Sequence, residues 1–552
     1  MPATVSANIA SHLAVMAERQ PDRPAVLFPA RRDAQGVHYT QFTFRELDTV
    51  SSQMARGFER IGIRRGTRTA LLVPPSLDFF ALTFALFKVG AVPVLIDPGI
   101  GLSNFANCLA DAEPQAFVGI SKAQAARVLL GWAPSVSIPV TVGTRWFWGG
   151  HTLTQVRKLG ATEETFSPAI PTPDETAAIL FTSGSTGLPK GVVYTHEIFT
   201  AQVEHIRALY GIQPGEVDLP TFPLFALFGP ALGMTEVLPA MDFTRPAQVD
   251  PLNITAAIER FGVTNMFGSP AVINRLGRHG ETHGVKLPKL RRAISAGAPV
   301  PAKALARFAA MLPPGAQVFT PYGATECLPV ASIGSDEILG ETRAQTDLGK
   351  GVCVGHPVPG LTVKIIRITD EAIPAWSDDL ELPRGEIGEI AVQAPHATRR
   401  YFNRPGPTAR AKIPAADGKF FHRMGDVGYL DERGRIWFCG RKSHRVVTSS
   451  DTMFTIPCEA IFNTHSMVFR SALVGVLRGG DTEPVLCVEL EAAARGQDEA
   501  KLRTELLALG AKFPHTQSIR IVLFHPAFPV DIRHNAKIFR EKLAVWAKEQ
   551  LG

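Results

Sequence analysis

Cysteine is scarce in this chain and none of it is paired in sequence: six residues, Cys108, Cys327, Cys353, Cys439, Cys458 and Cys487, are spread over 552 positions. The absence of a C-x-x-C pair or a Cys/His cluster of zinc spacing excludes a zinc ribbon and a dithiol redox motif, and predicts buried free thiols in a reducing compartment. The N-terminus lacks a basic region followed by an apolar core, so it does not read as a signal peptide. No uninterrupted apolar run has membrane-spanning length. The longest, Phe79 to Ile96, is broken by Lys88, Gly90 and Pro93, and reads as a buried helix followed by a strand. No block of like charge stands out, and the net charge of +6, with a pI of about 9.0, is mild over this length. That speaks against nucleic-acid binding and suits small anionic substrates, a nucleotide or a carboxylate. Internal repeats are absent, and Gly (48) and Pro (43) stay far below a low-complexity level. What remains is a cytoplasmic globular protein long enough for about two to four domains.

What is present is an alternation of helix and strand signals. "TFRELDTVSSQMARGFERIG" has helical period and "RTALLVP" reads as a strand; "PLNITAAIERFG" is helical, and "VTNMFGSP" and "LRRAISAG" are strands ending in turns. Such alternation predicts α/β layers with largely parallel sheets. Beyond about residue 340, "TVKIIRI", "GEIAVQ" and "RIWFCG" follow with few helices between them, which predicts a mixed or barrel-like β subdomain. From about residue 501 the pattern returns to helix and strand.

The most unusual stretch is "FTSGSTGLPKG", Phe181 to Gly191. Such a cluster can be a surface turn. It can also be a polyanion cradle: Gly184 and Gly187 let backbone N–H groups point inward, Thr182, Ser183, Ser185 and Thr186 add hydroxyl donors, and Lys190 adds a cation. The apolar run "AAILF" delivers the loop as a strand. The loop is not G-x-x-x-x-G-K-[ST], and "GVVY" after it reads as a strand. A helix starts only beyond Thr195, its expected N-cap, and stops at Gly211. A nucleotide-triphosphatase motor or GTPase is disfavoured on that ground. "FPLFALFGPALGM" places Phe222, Phe225 and Phe228 at spacing three, with an adaptable Met234. It fits a greasy acyl pocket and equally fits core packing. "RWFWGG" is an aromatic knot, either core or a docking patch.

T-S-G-S-T-G-x-P-K-G resembles the phosphate loop of the adenylate-forming superfamily, which includes acyl-CoA synthetases, peptide-synthetase adenylation domains and luciferases. Further motifs follow in that family's order over nearly the full length. "SAGAPV" resembles the adenine-edge strand, with Gly297, Ala298 and Pro299. "YGATE" resembles the segment that stacks on adenine and supplies a magnesium carboxylate: Tyr322, Gly323, Ala324, Thr325 and Glu326. "GHPVPG" and "GEIAVQAP…RRYFNRP" resemble the middle motifs. "MGDVGYLDERGRIWFCGRK" holds the ribose aspartate, Asp426, and the hinge-proximal arginine, Arg441; "DIRHNAKIFRE" holds the mobile catalytic lysine, Lys537. The resemblance implies a large adenylation domain, residues 1–441, with two parallel-type α/β layers plus the barrel-like subdomain, and a small mobile α+β lid, residues 442–552. It implies ATP and Mg2+, with Glu326 as metal ligand beside the hydroxyl of Thr182 or Thr186. Lys190 and Thr186 would hold phosphates, and Lys537 would bridge the α-phosphate and the substrate carboxyl.

Three departures narrow the reading. His444 stands where the family's hinge Asp is expected; Met424 replaces the threonine before Gly-Asp; and residues 446–462 contain no glycine, where the family has one to pass a pantetheine thiol. The missing glycine argues against a thioester-forming second step. The pattern resembles the olefin-biosynthesis branch, the β-lactone synthetases. There a long-chain 2-alkyl-3-hydroxy acid is activated as acyl-AMP and its own hydroxyl closes the ring, proximity supplied within one molecule. His196 and His444 are candidates for taking the hydroxyl proton. The resemblance also implies assembly with other enzymes of that pathway. The alternatives are a long-chain fatty acyl-CoA synthetase, a fatty acyl-AMP ligase, or an inactive nucleotide-binding scaffold.

Overall fold

In the computed structural model the described residues are 7–162, 166–181, 189–530 and 537–552. Local chemistry sets many boundaries. Thr43 opens the helix Phe44–Arg60 with a reciprocal capping box to Glu46. The helix His196–Tyr210 ends at Gly211, in the left-handed conformation (φ 60°) that glycine adopts without strain. Thr195 holds the N-cap position of that helix, but its hydroxyl makes no capping bond. The long apolar run becomes the helix Leu77–Lys88 and the strand Val92–Leu95. From Phe79 onward every residue of that helix is buried, Lys88 included. Lys88 is accommodated because its Nζ lies 2.7 Å from Asp48 Oδ1 and 2.8 Å from Ser52 Oγ.

A seven-stranded sheet holds the first phosphate-loop strand. It is parallel throughout except at one edge, where Thr176–Phe181 pairs antiparallel with Gly191–Thr195. These are the strands expected to flank the cradle. A second sheet of fourteen strands changes character midway. From Gln317–Ala324 through Arg292–Ile294, Asn265–Phe267, Val217–Pro220 and Thr235–Val237 to Pro24–Asp33, every pairing is parallel. On the other side of Gln317–Ala324 every pairing is antiparallel.

The expected barrel-like subdomain is corrected here. The strands Thr362–Ile366, Gly388–Gln393, Phe420–Leu430, Ile436–Arg441 and Val352–Pro357 form the antiparallel half of the same large sheet, and its two ends do not pair, so nothing closes among the described residues. A third sheet, Val468–Arg478, Asp481–Leu490 and Ile521–Phe524, carries the helices Thr455–Phe462, Glu499–Gly510 and Arg540–Leu551. Its two hydrophobic clusters draw only on residues beyond 445. All six cysteines are buried and free. No helix of the described residues is long and apolar enough to cross a membrane. The aromatic knot divides: Trp148 is buried with its indole N–H bonded to Thr141 Oγ1 (2.9 Å), while Trp146 and Phe147 are exposed.

Candidate active site

The parallel strands of the large sheet end where the chain turns into "SAG" and "YGATE", and their ends open on one cavity of about 660 Å3. That volume is ordinary for a small-molecule site. Its wall carries the polar residues Lys190, Thr325, Glu326, Arg441 and Lys537 and the aromatic residues Phe84, Phe87, Phe199, Phe222, Phe225, Phe228 and Phe267. Residues 135 to 347 positions apart in sequence thus share one space with Lys190, the cation of the loop's exit.

The loop residues Thr182, Ser183, Gly184, Ser185, Thr186 and Gly187 lie outside the described residues. Gly297, Gly323, Ala324 and Thr325 are on the wall, while Ala298 and Pro299 are not among its lining residues. Tyr322 sits behind the wall, fully enclosed, and its phenol donates to Asp426 Oδ2 at 2.8 Å. Asp426 and Arg441 are register partners on adjacent strands, with Arg441 Nη1 3.0 Å from Asp426 Oδ1. Oδ1 nevertheless has no aligned hydrogen-bond donor among the described residues. Burial raises the Asp426 pKa, and the charge of Arg441 opposes that rise. Asp426 itself is buried and is not among the cavity's lining residues, whereas its neighbour Gly425 and its partner Arg441 are.

Phe222, Phe225 and Phe228 line the cavity, and Phe225 packs on Phe267 with centroids 4.3 Å apart. Met234 does not join them; it is buried in the main hydrophobic core, because Gly233 turns the chain away after the short helix Phe228–Leu232. The histidine expectations are corrected as well. His196 is fully buried at the start of its helix, off the cavity wall, with neither ring nitrogen bonded among the described residues; burial pushes its pKa down to about 4. His444, in the short turn Lys442–His444, is also off the wall. Burial, then Arg540, Arg441 and Lys537, push it down to about 3.

His422, which the sequence reading passed over, is on the wall. Its Nδ1 lies 3.1 Å from Lys412 Nζ. The same Nδ1 lies 3.1 Å from Ala411 O, and burial, then the charge of Lys412, keeps the ring well below the ordinary histidine range, so His422 is a neutral imidazole on the wall.

Tyr401 was also missed, although its motif was quoted. Its phenol donates to Glu326 Oε1 at 2.7 Å, and Lys190 Nζ stands 4.9 Å from its ring centroid. No spacing rule in the sequence joins residues 190, 326 and 401.

The glycine-free segment 446–462 forms a hairpin, Val446–Val447 with Thr452–Met453, and then a helix. Its turn is held by side chains. Thr448 Oγ1 accepts from Asp451 N (2.9 Å), and Asp481 accepts from both the N–H and the hydroxyl of Ser449 (3.0 and 2.6 Å).

Comparison with known proteins agrees with this geometry. Residues 13–402 match the family described as AMP-binding enzyme. The chain is 52% identical to an olefin beta-lactone synthetase of Xanthomonas campestris pv. campestris, over 99% of this chain and 98% of that protein. It is 51% identical to one of Stenotrophomonas maltophilia, over 99% and 98%. Among solved structures, an amide bond synthetase of Marinactinospora thermotolerans superposes with a TM-score of 0.78 at 25% identity, covering 98% of this chain and 99% of the other. The O-succinylbenzoate coenzyme A synthetase of Bacillus subtilis, in complex with AMP, shares the fold at 0.75 and 21% identity, covering 96% and 97%. The chain thus has the α/β fold of adenylate-forming enzymes and belongs to the AMP-binding enzyme family.

Proposed function

We propose that this protein is an AMP-forming ligase that converts a long-chain 2-alkyl-3-hydroxy fatty acid to a β-lactone, a reading supported by its likeness to two full-length relatives named olefin beta-lactone synthetase. The observation that carries the reading is that one cavity is lined both by the cations Lys190, Arg441 and Lys537 and by a set of phenylalanines, which suits a nucleotide phosphate joined to an alkyl chain. In the first step a carboxylate oxygen attacks the α-phosphorus of ATP and pyrophosphate leaves. In the second, the 3-hydroxyl oxygen of the same molecule attacks the acyl carbon, the bond to AMP breaks, and the hydroxyl proton is released.

The roles follow from charge. Two anions meet in the first step, so Lys537 and Lys190 act by neutralising charge that develops on phosphate oxygens. Asp426 receives the ribose hydroxyls, with Arg441 beside it; Gly297, Gly323 and Ala324 let the nucleotide approach the strand ends. Among the described residues no three His, Cys, Asp or Glu side chains converge on one point. Glu326, with one oxygen bonded to Tyr401, is a single-carboxylate donor of the kind Mg2+ accepts alongside phosphates and water. Mg2+ bound there would supply further charge neutralisation. We assign residues 1–441 to the adenylating body and 442–552 to a mobile lid hinged near His444, a division supported by the separate hydrophobic clusters beyond residue 445. The reading places the enzyme in the cytoplasm, and the exposed Trp146 and Phe147 would serve assembly with other enzymes of olefin synthesis.

The side-chain-pinned turn at 448–451 supports a reaction without external thiol. The test is incubation with ATP and Mg2+ but no coenzyme A, comparing the 3-hydroxy acid with the same acid lacking its hydroxyl. Lactone, detected by mass spectrometry, is expected from the first alone. Consumption of added coenzyme A to form a thioester would replace this reading with the acyl-CoA synthetase one.

A further inference from the structure

The motif "RRYFNRP" has no part in the roles assigned above, yet it and the residues just before it are bonded both to the strand that leaves the phosphate loop and to Glu326. Phe402 N–H donates to Gly191 O at 2.7 Å and Val193 N–H to Arg400 O at 3.2 Å, so residues 400–402 run alongside the strand that leaves the phosphate loop. Three residues earlier, Thr398 donates to Glu326 O through its N–H (2.8 Å) and its hydroxyl (3.1 Å). Between these ties, Tyr401 is 6% exposed, its N–H bonded to Thr408 Oγ1 at 3.1 Å. Its phenol takes Glu326 Oε1 at 2.7 Å, and its ring lies under the ammonium of Lys190. One side chain therefore touches both charged groups that the reading above turns toward the triphosphate.

We propose that Tyr401 is a positioning residue that orients Glu326 toward Mg2+ and Lys190 toward the phosphates of ATP. The inference rests on the assignment of Glu326 as the metal ligand. The phenol occupies Oε1 and leaves Oε2 for the ion, so the carboxylate is held in one orientation for single-oxygen coordination. A phenol carries a hydroxyl proton and a carboxylate oxygen can only accept, so the bond runs from Tyr401 to Glu326. Bonds of this kind behind a metal ligand commonly matter to metal affinity by about 10–100-fold. The ring and the hydroxyl have separable duties: Tyr401→Phe removes the bond to Glu326 and keeps the face under Lys190, while Tyr401→Leu removes both.

The experiment is calorimetric titration of ATP into the full-length protein, without fatty acid, in EDTA and over a series of Mg2+ concentrations. The readout is the factor by which Mg2+ tightens ATP. Tyr401→Phe is expected to bind metal-free ATP as the wild type does and to lose about tenfold or more of that factor. Glu326→Gln should lose at least as much, and the double variant no more than Glu326→Gln alone. Tyr401→Leu should weaken metal-free ATP as well. A wild-type factor in Tyr401→Phe alongside a reduced one in Glu326→Gln overturns the positioning role. A wild-type factor in both variants overturns the assignment of Glu326 itself. Unchanged metal-free binding in Tyr401→Leu overturns the part played through Lys190.

Discussion

Asp426 is a carboxylate enclosed by protein, with Tyr322 on one oxygen and an arginine beside the other. A ribose held there is bound alike before and during reaction, so its loss acts on binding rather than on chemistry. Asp426→Ala is expected to raise the KM for ATP about tenfold or more while lowering kcat at saturating ATP by much less; steady-state pyrophosphate release measures both. An unchanged KM would remove the ribose role. At this scale the motifs brought Glu326, Arg441 and Lys537 to one cavity wall and Asp426 beside Arg441, while the roles given them are those proposed above. The sequence reading failed for Met234, His196 and His444, because type and spacing do not say which way a side chain points once the backbone turns. It did not single out Tyr401 or His422, because their place on the cavity wall is set by the fold and not by spacing in the sequence.

Between elements, the parallel strands Val217–Pro220 and Thr235–Val237 set Asp218 opposite Glu236. Both carboxyls are buried, Glu236 completely. Burial, then the charge of Asp218, pushes Glu236 well above the ordinary range, and burial pushes Asp218 up to about 6. A carboxyl whose folded pKa exceeds its unfolded one binds more protons in the folded state. The cost of burying it is absent below its unfolded value of about 4.3 and grows as pH rises through the folded value. Glu236→Gln, neutral throughout, is expected to raise Tm at pH 8 by about 1–3 °C, with the gain fading toward pH 4; thermal unfolding across that range measures it. A gain that grows on acidification would contradict the assignment. Helices and strands were read well from period and caps, since those signals are local. The barrel-like expectation failed at this scale: alternating strands specify antiparallel pairing, but closure depends on whether the first and last strands meet, and Thr362–Ile366 instead forms the edge of the sheet.

Across the whole molecule, the residues beyond 441 reach the cavity, among those described, only through Lys442, Ser443 and Lys537. Lys442 is committed to the body, its Nζ 2.7 Å from Thr369 O and 3.3 Å from Glu389. Lys537, which precedes the helix Arg540–Leu551, is the residue of this stretch to which the proposed function gives a chemical role. Lys537→Ala should leave ATP affinity within a few-fold and reduce acid-dependent pyrophosphate release by about 10²-fold or more. Pyrophosphate release near the wild-type rate would sink that role. The same unit carries the turn at 448–451, fastened to Asp481 by two hydrogen bonds. For an enzyme working as proposed, this has a kinetic meaning. The lifetime of the activated acyl group is set by a first-order event within one bound molecule, so flux is indifferent to the cellular thiol supply and fixed by ATP and acid alone.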